Sequence, residues 1–110
     1  MKLLIAGSRS ITDFDLTPYI PDDVTEIISG GADGIDTLAE KYADEHKLSK
    51  HILRPEYSKY GKAAPILRNH VMVDLADAVL VIWDGKSRGT RSTVNYAKEK
   101  EKALTLININ

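Results

Sequence analysis

The chain has 110 residues, 43% of them hydrophobic and 28% charged, with a formal net charge of −1 and no cysteine. That length suits one domain with a real core and leaves little room for a second. Without cysteine there is no disulfide, cysteine-ligated zinc or thiol nucleophile, which suits a reducing, cytoplasmic setting; the near-neutral balance leaves anion binding to local basic clusters.

Met1-Lys2 leads straight into Leu3-Leu4-Ile5-Ala6, a run too short for a signal peptide or a membrane span, so no membrane partner is expected. Lys2 to Ala6 reads as a parallel strand covered on both faces, with Gly7-Ser8-Arg9-Ser10 at its carboxyl end. Between Asp13 and Asp23, Pro18 and Pro21 limit any helix to a turn or two. A short second strand from Glu26 to Ile28 breaks into Ser29-Gly30-Gly31-Ala32-Asp33-Gly34. Ile35, Leu38, Ala39, Tyr42 and Ala43 then recur at helical spacing, predicting an amphipathic helix that ends near Lys47. His51 to Arg54 reads as a third strand closed by Pro55, and Glu56 to Lys62 as a polar loop. The next helix carries Pro65 in its first turn, where a missing N–H costs little, and an apolar stripe of Leu67, Val71 and Leu75 up to about Asp77. Ala78 to Trp83 is apolar without alternation and reads as a central buried strand, with Asp84 to Thr90 as its loop. A last helix from Arg91 to Lys102 turns Val94 and Ala97 inward, and Ala103 to Ile107 closes the set as a strand.

Strands alternating with helices predict a single Rossmann-like three-layer α/β/α domain with a five-stranded parallel sheet of order 3-2-1-4-5. Ligands of such sheets bind beyond the carboxyl ends of the strands, where the strand order reverses. With this order the crevice lies between the first and fourth strands, and the loops Gly7 to Ser10, Ser29 to Asp36 and Asp84 to Thr90 gather there.

Each motif has a plain and a functional reading. Gly30-Gly31-x-x-Gly34 misses the dinucleotide fingerprint G-x-G-x-x-G and is either a tight turn or a cradle for a phosphate against a helix start. Asp36 either complements the helix dipole or accepts a hydrogen bond from a ribose or base. Gly85-Lys86-Ser87 imitates the end of a Walker A loop, but Leu80 stands where that motif needs its first glycine, which excludes it. Lys86, Arg88 and Arg91 form a solvated basic edge or a phosphate clamp, and Gly89-Thr90 offers a helix cap with an anion seat. Arg68 and Asn69 lie early in their helix, so one can face the cleft; His70 reads as a packing histidine. The histidines have no metal-site spacing, so no metal is expected. Ser8, Ser29 and Ser87 have no identifiable histidine base and no carboxylates pair across a cleft, so the residues call for binding rather than catalysis.

Taken together, Gly7-Ser8-Arg9, Ser29-Gly30-Gly31-Ala32-Asp33-Gly34-Ile35-Asp36, Arg68-Asn69, Ala76-Asp77-Ala78-Val79-Leu80-Val81 and Gly89-Thr90 resemble the SLOG superfamily. That superfamily groups the DNA-processing DprA/Smf proteins, the Lonely Guy enzymes and small stand-alone domains of the YspA/YpsA kind, to which the likeness is greatest. The resemblance implies a nucleotide, or a nucleotide derivative such as ADP-ribose, held at the glycine loops. Gly7, Ser8 and Arg9 match the first-strand loop, Gly30, Gly31, Gly34 and Asp36 the signature loop, and Gly89 and Thr90 the last anion-binding turn; Ser29, Arg68, Asn69 and Asp84 complete the expected ligand shell. A phosphate is expected on the N–H groups near Gly30, Gly31 and Gly89, with Arg9 and Arg68 adding charge-assisted hydrogen bonds. Lonely Guy enzymes carry P-G-G-x-G-T-x-x-E; here Ser29 and Ile35 replace the proline and threonine, and Glu40 sits two residues too late, which sets nucleotide N-glycosidic cleavage by Asp36 or Glu40 behind binding or sensing. Single-stranded nucleic acid, the DprA-like alternative, is disfavoured by the charge balance and by few aromatics beyond Tyr57 and Tyr60 near the basic loops. The analogy also offers a homodimer through the exposed face of the third helix.

Overall fold

Side chains alternate across a strand, so Leu3 and Ile5 leave the first strand on one side while Leu4 and Ala6 leave it on the other, and both sets are buried. A computed structural model describes residues 1–109. Its strands are β1 (Lys2–Gly7), β2 (Glu26–Ser29), β3 (Ser49–Ile52), β4 (Ala78–Trp83) and β5 (Ala103–Asn108), all parallel, in the order β3-β2-β1-β4-β5. The helices are α1 (Ile35–Glu45), the single turn α2 (Tyr57–Tyr60), α3 (Ala64–Leu75) and α4 (Arg88–Glu99).

On one face Leu3, Ile5, Ile27, Leu80 and Ile82 pack against Ile35, Ala39 and Ala43 of α1 and against Leu16 and Val24 of the segment before β2. On the other, Leu4, Ala6, Ile28, Val79 and Val81 meet Met72, Val73 and Ala76 at α3 and Val94 and Ala97 of α4. Burying each such leucine, isoleucine, valine or methionine side chain contributes about 1.5–3 kcal/mol. The predicted Rossmann-like three-layer architecture and strand order are therefore those of the molecule, with β1 and β4 flanking the crevice.

Several local expectations are corrected. β3 starts at Ser49, not His51: it is an edge strand whose Ser49, Lys50 and His51 are exposed, so no apolar run marks it. α4 starts at Arg88, not Arg91, because Ser87 is the cap and accepts a hydrogen bond from the Thr90 N–H; Gly89 and Thr90 lie inside the first turn. The loop from Glu56 to Lys62 is largely ordered into α2 and a 3-10 turn at Gly61–Ala63. The stretch around Pro18 is no correction: within the expected limit of a turn or two, it forms one 3-10 turn, Thr17–Tyr19. The stripe Leu67, Val71 and Leu75 faces outward, 38%, 46% and 38% exposed, while α3 buries Ala64, Asn69, Met72 and Val73. Among the described residues, no helix is long and apolar enough to cross a membrane.

Candidate ligand-binding site

At the carboxyl ends of β1 and β4 a cavity of about 410 Å³ opens between the strand loops, the start of α1, the first turns of α3 and the start of α4. Gly7, Arg9 and Ser10 line it from β1, Ala32 and Asp36 from the glycine loop and α1, and Pro65, Arg68, Asn69 and Met72 from α3. Asp84, Ser87, Gly89, Thr90 and Thr93 complete the wall. Of the thirteen expected ligand-shell residues, the cavity thus gathers Gly7, Arg9, Arg68, Asn69, Asp36, Asp84, Gly89 and Thr90.

Ser8, Ser29, Gly30, Gly31 and Gly34 do not line it, and each has another task. The buried Ser8 hydroxyl accepts a hydrogen bond from the Asp84 N–H at 2.9 Å, tying the β1 and β4 loops together. Ser29, equally buried, donates to Glu40 Oε2 at 3.2 Å and accepts from the Gly31 N–H at 3.3 Å. Gly30 leaves room for the Arg68 guanidinium and the Asp36 carboxylate, each of which a Cβ would meet at 2.8 Å. Gly31 turns toward Arg54, whose Nη1 donates to its carbonyl at 3.0 Å. Gly34, at φ +73°, seats α1 on the β1 loop, where a Cβ would come within 2.5 Å of the Ser8 and Arg9 carbonyl oxygens.

Two amides of the glycine loop are thus satisfied close by. The Gly31 N–H is held by Ser29, and the Ala32 N–H donates to Asp36 Oδ2 at 3.2 Å. Across the crevice lies the start of α4. There Thr90 N–H goes to Ser87 Oγ and Ser87 N–H to Asp84 Oδ1, which leaves the first-turn amides of Arg88 and Gly89 outside the cap. Gly89 lines the cavity, and a Cβ on it would meet nothing within 4 Å.

The two cavity arginines differ. Arg68 donates from Nη1 to the carbonyls of Gly30 at 2.6 Å and Leu53 at 3.1 Å, and from Nε to Asn69 Oδ1 at 2.8 Å. It staples the ends of β2 and β3 to α3, and burial holds its guanidinium below the usual arginine range, against the pull of Asp36. Among the described residues, no hydrogen bond or ion pair engages the Arg9 guanidinium, which stands exposed at the rim.

Two carboxylates share the cavity. Burial raises the Asp36 carboxyl above the usual range, opposed by the Ala32 N–H and by Arg68 and Arg9, and reinforced by Glu40. Asp84 is lowered to about 2, first by the Lys86 and Ser87 N–H groups on Oδ1 and then by the Ser10 and Ser8 hydroxyls. Its carboxylate shapes the turn. Ser10 and Ser87 belong to loops expected at the crevice but not to the expected ligand shell, and Thr93 lies outside both, signalled only by its spacing three residues after Thr90. Arg88 and Arg91 lie on a shallow surface with His70, and Arg91 sits 5.7 Å from the Trp83 ring centroid, so neither clamps the cavity. His70 stacks on Tyr96 with centroids 3.9 Å apart, a packing role. No group of three or more metal-binding side chains occurs among the described residues.

Comparison with known proteins adds one relative. A 65-residue stretch is 32% identical to the uncharacterized SPbeta prophage-derived protein YoqJ of Bacillus subtilis (strain 168), taking in 56% of this chain. This chain covers 37% of that protein's length. No family model matches, and no solved structure does.

Proposed function

We propose that this domain binds or senses a phosphate-bearing, nucleotide-derived ligand in the β1/β4 crevice, in the manner of the SLOG domains its motifs resemble. The observation that carries the reading is Gly89. It occupies the first turn of a helix, where alanine would be more stable by about 0.5–1 kcal/mol, yet it lines the cavity and nothing within the protein fills the space a methyl would take. A glycine there leaves its helix-terminal amide open to a guest in the cavity, and the positive end of α4 favours an anion. The unengaged Arg9 supplies a charge-assisted donor at the rim. A volume near 410 Å³ falls in the range of small-molecule sites, and Asp36 is suited to a sugar hydroxyl.

A thermal-shift panel of orthophosphate, nucleoside mono- and diphosphates and ADP-ribose tests this. Ligand at a hundredfold excess over Kd stabilises by about 2.7 kcal/mol, and Arg9→Ala should cut the shift without lowering the unliganded transition. No shift with any compound overturns the proposal.

Asp36 also supports a second reading. A buried carboxyl raised in pKa beside a ligand cavity is suited to acid–base work, and release of free base from a nucleoside monophosphate, lost in Asp36→Asn, would identify N-glycosidic cleavage.

A further inference from the structure

Asn69 is buried on α3, 7% exposed, and lines the crevice. Its amide can stand only one way round. Arg68 Nε donates to Asn69 Oδ1 at 2.8 Å, and a guanidinium has no acceptor, so the oxygen faces the arginine and Nδ2 is left as a donor. Asp36 neighbours the same guanidinium: Arg68 Nη1 and Asp36 Oδ2 each come to 2.8 Å from the point that a Cβ on Gly30 would occupy. Asp36 Oδ2 accepts from the Ala32 N–H, while Asp36 Oδ1 and Asn69 Nδ2 have no hydrogen-bond partner among the described residues. A side-chain nitrogen or oxygen that is both buried and unpartnered occurs nowhere among those residues, so these two atoms are accessible, and the crevice is a cavity that both residues line.

Resting on the phosphate reading of this crevice, we infer that its ligand is a ribose phosphate recognised through the cis-diol of the sugar, with the base left unread. One ring hydroxyl donates to Asp36 Oδ1 and its neighbour accepts from Asn69 Nδ2. A hydroxyl both donates and accepts, so an adjacent pair satisfies a fixed donor beside a fixed acceptor. The phosphate takes the Gly89 amide, with Arg9 at the rim. A base finds no comparable partner. Among the described residues no aromatic side chain lines the crevice, and proteins hold unpaired bases chiefly by stacking them on aromatic rings. Ser10, Ser87, Thr90 and Thr93 line it with hydroxyls instead, which suit sugar and phosphate oxygens.

Isothermal titration of the unmodified protein with orthophosphate, AMP, 2′-deoxy-AMP, 3′-deoxy-AMP, GMP, CMP and UMP tests this. The four ribonucleotides should bind within about threefold of one another, and removing either hydroxyl should weaken binding about tenfold, the effect of one lost hydrogen bond whose protein partner stays unmade. Asn69→Ala should bring the AMP preference over one of the two deoxy analogues to about one and leave the other preference in place, whereas a purely structural role would weaken every compound alike. Should that variant unfold, the comparison in the unmodified protein decides. AMP bound no better than its deoxy analogues, or a preference of about tenfold for one base, overturns the inference and leaves the phosphate reading standing. So does binding of orthophosphate without binding of any nucleotide. A protein that binds none of these compounds overturns both.

Discussion

Replacing Gly89 by alanine separates folding from binding at one atom. The new Cβ meets no atom of a neighbouring element within 4 Å, so no clash opposes it, and the φ of Gly89 is not positive, so no strained conformation requires glycine. In the first turn of α4 the substitution lowers the entropy of the unfolded chain and should raise the stability of the unliganded protein by about 0.5–1 kcal/mol. For a domain of this size that is an increase in Tm of about 2–6 °C. The added methyl would also compete for space in the cavity that Gly89 lines with a ligand held on its amide. Losing one hydrogen bond to a charged ligand costs about 1.5–3 kcal/mol, a weakening of roughly 10- to 100-fold. Differential scanning calorimetry without ligand, followed by isothermal titration with the strongest compound of the nucleotide panel, reads both numbers. A variant less stable than the parent, or one that binds with unchanged affinity, refutes the argument that glycine stands at 89 for a guest.

Gly34→Ala should act in the opposite sense, losing about 3 kcal/mol in urea denaturation, because φ +73° and two backbone carbonyls 2.5 Å from the Cβ leave no relaxed position; a loss under about 0.5 kcal/mol would contradict the packing described. Asp36→Asn addresses a raised carboxyl: its contribution to stability is full below the ordinary carboxylate pKa and is lost as pH rises through the raised value, so the amide should flatten the pH dependence and leave the pH 7 urea midpoint equal or higher. If AMP binding weakens in that variant while orthophosphate binding holds, the carboxylate contacts a sugar hydroxyl; a midpoint markedly below the parent's at pH 7 would show that attraction to Arg68 and Arg9 outweighs burial. For Asp84, lowered to about 2, stability is present above the ordinary carboxylate range and is lost as pH falls toward 2, so Asp84→Asn should remove part of the acid sensitivity seen by tryptophan fluorescence. Arg68→Lys should cost about 1–2 kcal/mol despite the retained charge, since one ammonium cannot span the Gly30 and Leu53 carbonyls and Asn69 together; full stability in the lysine variant would remove the staple role.

Period and burial made most of the fold legible in the residues themselves. Strands covered on both faces must be apolar throughout, so β1 and β4 announced themselves, and helices repeating Ile35, Ala39 and Ala43 or Val94 and Ala97 had to lie against them. With the order of elements known, strand handedness left few topologies, and the crevice followed from the strand order. Only the tertiary structure could decide which polar groups are spent internally. Arg9 and Arg68 look alike in a sequence; one is held by three acceptors and the other by none, because carbonyls at the ends of β2 and β3 converge on α3 across residues distant in the chain. The same holds for the glycine loop, whose Gly31 and Ala32 amides go to Ser29 and Asp36, and for the outward row on α3, since helical spacing says that apolar residues share a face but not whether the sheet lies beneath it.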